Sequence, residues 1–104
     1  MPNKYKQTTE QTAPPAPTTV LCQIWQESER GWGTRPDGYS LHVSQEALIE
    51  YVDQYWKRMP DEPPDEYSSP AGAPYLVKVD PTTAKAVART QNLRVFNNTY
   101  PPKA

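Results

Sequence analysis

The residues best suited to chemistry are concentrated in one stretch, ESERGWGTRPDGYSLH, which spans residues 27–42. It holds three of the four glycines of the chain and its single histidine. Guanidinium groups bind carboxylates and phosphates in a forked geometry, and an indole ring offers a flat stacking surface. Glycines allow a backbone to approach a ligand closely. We therefore expect a binding site here, and its candidate residues are Arg30, Gly31, Trp32, Gly33, Arg35, Asp37, Tyr39 and His42.

A catalytic use of the same stretch is the alternative hypothesis. In a small phosphodiesterase or ribonuclease-like enzyme, His42 would act as the acid, a nearby glutamate as the base, and Arg35 would hold the phosphate. The sequence contains no glycine-rich nucleotide-binding motif, no Walker A loop and no nucleophile elbow. One histidine and one cysteine supply no metal-ligand set, and no cofactor is expected. The sequence therefore favours a protein that is not an enzyme. Cys22 is expected to be a small buried apolar residue.

Part of the stretch also has a purely geometric explanation. In RPDG, Pro36 presets the first central position of a turn, an aspartate suits the second, and Gly38 accepts a positive φ at the exit. Residues 35–38 are thus predicted to form a turn. In this interpretation Trp32 folds back onto the sheet and the arginines pair with neighbouring glutamates.

Strands are predicted on both sides of this turn, over residues 20–25 and 39–43, and they should pair as an antiparallel hairpin. The second strand alternates between apolar and polar residues. This pattern places Leu41 inward, and it places Ser40 and His42 on the outer face.

Two helices and two further strands follow. Ser44 caps a helix whose apolar residues recur at helical spacing as far as Pro60. Asp80, followed by a proline, is typical of the start of a second helix. With strands over residues 75–79 and 93–96, the order is β-β-α-β-α-β. This order predicts a small α+β domain, a mainly antiparallel sheet with both helices packed on one face.

Two segments allow both a structural and a functional interpretation. Tyr51, Tyr55 and Trp56 form an aromatic stripe on the first helix, which is core if buried and a partner-binding face if exposed. Residues 60–74 are acidic and proline-rich, and we expect a link there without regular structure.

The chain is expected to contain one domain between two tails. Residues 1–19 contain no Leu, Ile, Val, Phe or Trp, and such a segment cannot bury enough apolar surface to offset its ordering entropy. We therefore predict a flexible, disordered tail there and a second one over residues 97–104. Residues 20–96 remain as the single domain.

The composition limits the classes of partner. A net charge of −1, from 11 basic and 12 acidic side chains, gives no support for broad binding to nucleic acid or to an anionic membrane. No apolar run approaches the ~18 residues that cross a bilayer, so a soluble cytoplasmic protein is expected. The seven tyrosines and three tryptophans are compatible with a homo-oligomer.

The opening stretch, the amphipathic helix after it and the segment PDEPPDEYSSPAG resemble small uncharacterised proteins of bacteriophages and other mobile elements. The resemblance covers roughly residues 24–72. It implies a context in which short single-domain proteins act by binding, including as inhibitors of host defence or of host enzymes, and a host cytoplasm as their location.

The leading hypothesis is a non-enzymatic binding module, an inhibitor or adaptor, that grips a partner protein or a small anionic ligand through the Arg/Trp hairpin loop. The small phosphodiesterase is the first alternative. A structural assembly component, whose tails order on a larger particle, is the second.

Overall fold

The computed structural model describes residues 18–96 and 99–104. The tails predicted over residues 1–19 and 97–104 therefore lie partly outside the described residues. The described part contains four strands and two helices: β1 (Thr19–Glu29), β2 (Gly33–His42), α1 (Gln45–Arg58), β3 (Glu66–Lys78), α2 (Pro81–Thr90) and β4 (Asn92–Val95). This order confirms the predicted small α+β class.

The four strands form one antiparallel sheet in the order β3-β1-β2-β4. The predicted hairpin of β1 and β2 is confirmed and forms the centre of the sheet. β3 pairs with β1 from Glu66 to Lys78, whereas β4 pairs only with residues 39–42 of β2. The sheet therefore has one long outer strand and one short one.

One face of the sheet packs against α2. A cluster of buried apolar side chains joins three strands to this helix, and its members are Val20, Cys22, Leu41, Val77 and Val87. Cys22 is fully buried within it, as predicted. This face is the main apolar core of the protein.

The opposite face packs against α1. Trp25 of β1 makes edge-to-face contacts with Tyr51 and Tyr55 of α1, at ring-centroid distances of 6.1 and 5.1 Å. The ring of His42 lies 5.3 Å from that of Tyr51. Tyr51 and Tyr55 of the aromatic stripe thus pack in the core, whereas Trp56 is 41% exposed.

The two helices lie on opposite faces of the sheet, because Leu41 points to α2 and its neighbour His42 points to α1. The prediction that both helices pack on one face is wrong. Alternation placed Ser40 and His42 on a solvent face, but both side chains are fully buried and hydrogen-bond to each other. A polar face can be buried in this way when its groups satisfy one another.

The predicted turn over residues 35–38 is also corrected. These residues lie inside β2, and the hairpin reverses earlier, over residues 30–32. Tyr39 of β2 pairs with Ile24 of β1, and the next pair is Pro36 with Gln26. Between these pairs, two residues of β2 lie opposite one residue of β1. This is a β-bulge, which tolerates the proline and the positive φ of Gly38 as well as a turn does.

The expected link without regular structure is wrong for its second half. Residues 66–74 belong to β3, which continues to Lys78 and so includes most of the strand predicted over residues 75–79. Pro70 and Pro74 argue against a central strand, but β3 is an outer strand, where prolines are tolerated.

The helix ends match the sequence prediction. Ser44 accepts a hydrogen bond from the backbone nitrogen of Ala47, and Asp80 accepts one from Thr83. On the outer face of α1, Asp53 and Lys57 form an ion pair at 3.0 Å.

Candidate functional site

The reversal between β1 and β2 forms an exposed hairpin tip, residues 29–33. The backbone nitrogen of Trp32 donates to the carbonyl of Glu29 at 2.9 Å and closes the turn. Gly31 and Gly33 flank the tryptophan with φ of 83° and 91°, values that glycine adopts without strain. The Trp32 residue is 82% exposed, so it does not fold back onto the sheet.

The two arginines of the loop are already paired with carboxylates. Arg35 Nη2 lies 2.7 Å from Glu27 Oε1, and this hydrogen bond raises the pKa of Arg35. Arg30 Nε lies 3.3 Å from Asp65, and the Arg30 backbone nitrogen donates to the Asp65 carbonyl at 2.9 Å. The arginines therefore connect the hairpin to its neighbours, and neither guanidinium is left as an unopposed anion ligand.

An open cavity of about 520 Å³ lies beside the tip, and its lining residues are Glu29, Arg30, Trp32, Pro64, Asp65 and Glu66. Glu29 and Glu66 face each other across β1 and β3. The hydrogen bond and negative charge of Glu29 raise the pKa of Glu66. The surroundings of Trp32 are therefore acidic.

The structure separates the remaining three predicted site residues from the tip. Asp37 is buried within the sheet, next to Arg94. Tyr39 packs against the apolar core on the α2 face. His42 is fully buried on the α1 face. Only Arg30, Gly31, Trp32 and Gly33 share the exposed tip, with Arg35 beside it on β2.

Arg94 is a residue that the sequence analysis missed. Its guanidinium lies 3.2 Å from Asp37 Oδ2, donates to the carbonyl of Val95 at 2.7 Å, and lies 4.7 and 4.4 Å from the ring centres of Trp25 and Phe96. Ser68 also donates to Asp37 Oδ2. The sequence did contain a signal for a buried, paired Arg94, because this charged residue lies between two apolar residues in a short predicted strand.

Ser40, His42 and Asn92 form a hydrogen-bonded chain next to this ion pair. Ser40 Oγ lies 2.6 Å from His42 Nε2, and the side-chain amide of Asn92 lies 2.6 Å from His42 Nδ1. The order of groups is that of a nucleophile, a base and an orienting residue. However, Ser40 is fully buried, and its oxygen accepts a hydrogen bond from Trp25 Nε1 at 2.8 Å. The chain therefore satisfies buried polar groups and presents no nucleophile to a substrate.

The Asn92 amide is best satisfied with its nitrogen toward His42. In that orientation the nitrogen also lies 3.2 Å from the carbonyl of Ala47 and 3.1 Å from that of Gln91. His42 Nδ1 then accepts, so its proton lies on Nε2 and is donated to Ser40. Burial lowers the pKa of His42 from its ordinary value of 6.5, so the ring is neutral.

This histidine predicts a dependence of stability on pH. As the pH falls through 6.5, the unfolded chain binds a proton at His42 more readily than the folded protein does, so the free energy of unfolding falls as the pH decreases toward the lower folded pKa. One such group contributes at most about 1.4 kcal/mol per pH unit. Urea unfolding of wild type and His42→Gln between about pH 7.5 and 5.5 measures it. The variant should lose less stability over this range, and parallel curves would contradict the assignment.

Within residues 18–96 and 99–104, no group of three or more histidine, cysteine or acidic side chains is arranged to hold a metal ion. No helix of the described part is long and apolar enough to cross a membrane. Comparison with protein-family models, curated proteins and solved structures gives no match to this chain.

Proposed function

We propose that the protein is a non-enzymatic binding module, an inhibitor or adaptor, that contacts a partner protein through the hairpin tip. The observation that carries this proposal is the exposed indole of Trp32 at the end of a hairpin that β3 supports on one side. Tryptophan is enriched among the residues that dominate binding energy at protein interfaces.

The tip presents this indole on a rigid support. The turn is closed by a backbone hydrogen bond, and its strands continue into a sheet of four. The Arg30–Asp65 pair ties the turn to the chain just before β3. Because a rigid aromatic anchor loses little conformational entropy on binding, this arrangement favours recognition by insertion of the indole into a partner's pocket.

The charges around the tip favour a protein partner over the small anionic ligand that the arginines alone suggested. Arg30 and Arg35 are paired, and the cavity beside Trp32 adds Glu29 and Glu66. A small anion would meet these carboxylates at short range, and like charges repel. A protein surface can instead place apolar atoms against the indole.

The phosphodiesterase alternative receives no support from the geometry. His42 is fully buried, and both of its ring nitrogens are hydrogen-bonded inside the protein. Arg35 pairs with Glu27 on the exposed part of the hairpin. A substrate phosphate could not contact both His42 and Arg35 without unfolding the α1 face.

The test is partner capture by Trp32→Ala and by the double variant W32A/R35A. Immobilised wild-type protein first identifies the partner from lysate by mass spectrometry, and calorimetry then gives Kd. Removal of a central aromatic anchor should cost at least about 2 kcal/mol, or roughly 30-fold in Kd. Tyr100→Ala, which removes another exposed aromatic ring, is the matched control and should bind like wild type.

The melting temperature of these variants should stay close to that of wild type, because the Trp32 side chain packs little against the fold. Unchanged Kd for W32A/R35A in a folded protein would contradict the proposal. Equal losses in W32A and Tyr100→Ala would also contradict it, since they would show that the effect is not specific to the tip.

A further inference from the structure

The cavity beside the hairpin tip combines an exposed indole with carboxylates. Its volume is about 520 Å³, and Trp32 lines it together with Glu29, Asp65 and Glu66. The Trp32 residue is 82% exposed, so its ring is accessible to a partner. Arg30, the basic residue of the lining, is paired with Asp65 at 3.3 Å. The charges of Glu29 and Glu66 therefore dominate the cavity.

Glu29 and Glu66 lie directly opposite each other on neighbouring strands. Like charges in opposite positions destabilise a sheet. The pKa of Glu66 is raised, first by its hydrogen bond with Glu29 and then by the charge of Glu29. Arg35 lies 4.0 Å from Glu29, but its closer contact, at 2.7 Å, is with Glu27. The two opposite glutamates thus keep a negative charge that a cation from a partner can offset.

The acidic surface continues along the chain that leads into β3. A second cavity, of about 320 Å³, shares Glu29 and Asp65 with the first and adds Glu62 and Tyr67. Glu62 is exposed. Carboxylates therefore extend over two adjoining cavities, an arrangement that suits an extended segment with more than one basic side chain.

The interior of the same sheet shows how this chain binds a guanidinium group. The guanidinium of Arg94 lies 4.7 Å from the ring centre of Trp25 and 3.2 Å from the Oδ2 atom of Asp37. A cation is attracted by the face of an indole, and a carboxylate strengthens the hydrogen bonds that its nitrogens donate. The hairpin tip presents the same two kinds of group to solvent, an indole and carboxylates.

We propose that the hairpin tip binds an arginine-containing segment of its partner, with one guanidinium stacked on Trp32 and hydrogen-bonded to Glu29 and Glu66. This inference rests on the proposed function, since it names the chemistry of the partner at the same site. Arginine suits the site better than lysine, because its planar group stacks on an indole and carries five donors for two carboxylates. A second arginine of the segment contacts Glu62 in the adjoining cavity.

The first test is a titration of the full-length protein with a synthetic peptide that has two arginines between glycines. In a nitrogen–proton NMR spectrum, the peptide should shift the Trp32 indole resonance in a saturable manner and leave that of the buried Trp25 in place. A peptide with citrulline in place of arginine has the same shape without the charge, and its Kd should be at least about tenfold weaker. Equal binding of the two peptides would overturn the proposal, as would an unshifted Trp32 resonance at millimolar arginine peptide.

The second test removes the two opposite carboxylates. The variant E29Q/E66Q should bind the arginine peptide at least about tenfold more weakly than wild type. In urea it should be at least as stable as wild type, because the repulsion between the two side chains is gone. The matched control E50Q/D53N removes the same number of carboxylates from the exposed face of α1 and should bind like wild type. An unchanged Kd in E29Q/E66Q, or an equal loss in the control, would overturn the proposal.

The partner captured from lysate separates this proposal from the proposed function. A Kd for the partner that weakens in W32A/R35A and stays unchanged in E29Q/E66Q would support the proposed function and overturn the arginine site. A Kd that weakens in both variants supports both proposals. A Kd that is unchanged in W32A/R35A contradicts the proposed function and, with it, the role of the arginine site in partner binding.

Discussion

The Gly38→Ala variant is expected to be strongly destabilised. Gly38 has a φ of 80°, and a Cβ there would lie 2.9 Å from the carbonyl carbon of Val95 and closer still to its oxygen. These atoms belong to the β4 backbone, which cannot move aside without separating from β2. Left-handed strain of about 1–2 kcal/mol and overpacking of about 1–3 kcal/mol add to about 2–5 kcal/mol.

The chain supplies a matched control for this prediction. Gly31 also has a positive φ, but a Cβ there meets no atom within 4 Å. Gly31→Ala should therefore cost only the strain term, about 1–2 kcal/mol. Urea unfolding of both variants measures the difference. Equal losses of stability would show that the close approach of β4 to Gly38 contributes nothing.

The second large effect is expected from Arg94→Met. The side chains of Arg94 and Asp37 are only 8% and 12% exposed, and their ion pair holds β4 against the bulge of β2. Removing the arginine leaves the carboxylate of Asp37 buried without its cationic partner. The expected loss is about 3–5 kcal/mol in the free energy of unfolding.

Two comparisons test the origin of this loss. Lys57→Met breaks the exposed pair with Asp53 and should change stability by less than about 1 kcal/mol. The double variant D37N/R94M should lose less stability than the sum of the losses in the two single variants. Each single variant leaves one buried charge without its partner, whereas the double variant removes both charges. Additive losses would show that the two side chains act independently.

The sequence predicted α1 and α2 well because their signals are local. Ser44 and Asp80 cap the helices through side chains only three residues from their partners, and Pro60 follows Met59, the residue that caps the end of α1. The β1–β2 hairpin was predicted for the same reason. Such signals depend on neighbouring residues and need no knowledge of the topology.

The wrong predictions concern residues whose conformation or burial depends on how the strands and helices are arranged in the fold. Pro36 and Gly38 suit a turn and a bulge equally, and only the pairing with β1 distinguishes the two. Pro70 and Pro74 were interpreted as interrupting any strand. They are tolerated because β3 is an outer strand, and this position follows only from the order of the strands in the sheet. The residues of the predicted binding site lie in separate parts of the structure for a similar reason. Local patterning identified the tip around Trp32, but the burial of His42 depends on α1 crossing that face.

The prolines of β3 have a consequence for how the protein behaves at high concentration. β3 is a 13-residue outer strand, and a flat strand of that length would recruit strands from other molecules and nucleate aggregates. Pro70 and Pro74 each remove a backbone donor from the strand, and the positive φ of Gly72 between them distorts it. On the other side, β4 ends after four residues. Neither outer strand therefore offers a long regular edge for pairing with strands of other molecules. The proline-rich composition that predicted a link without regular structure thus protects the folded protein from aggregation through its sheet edge.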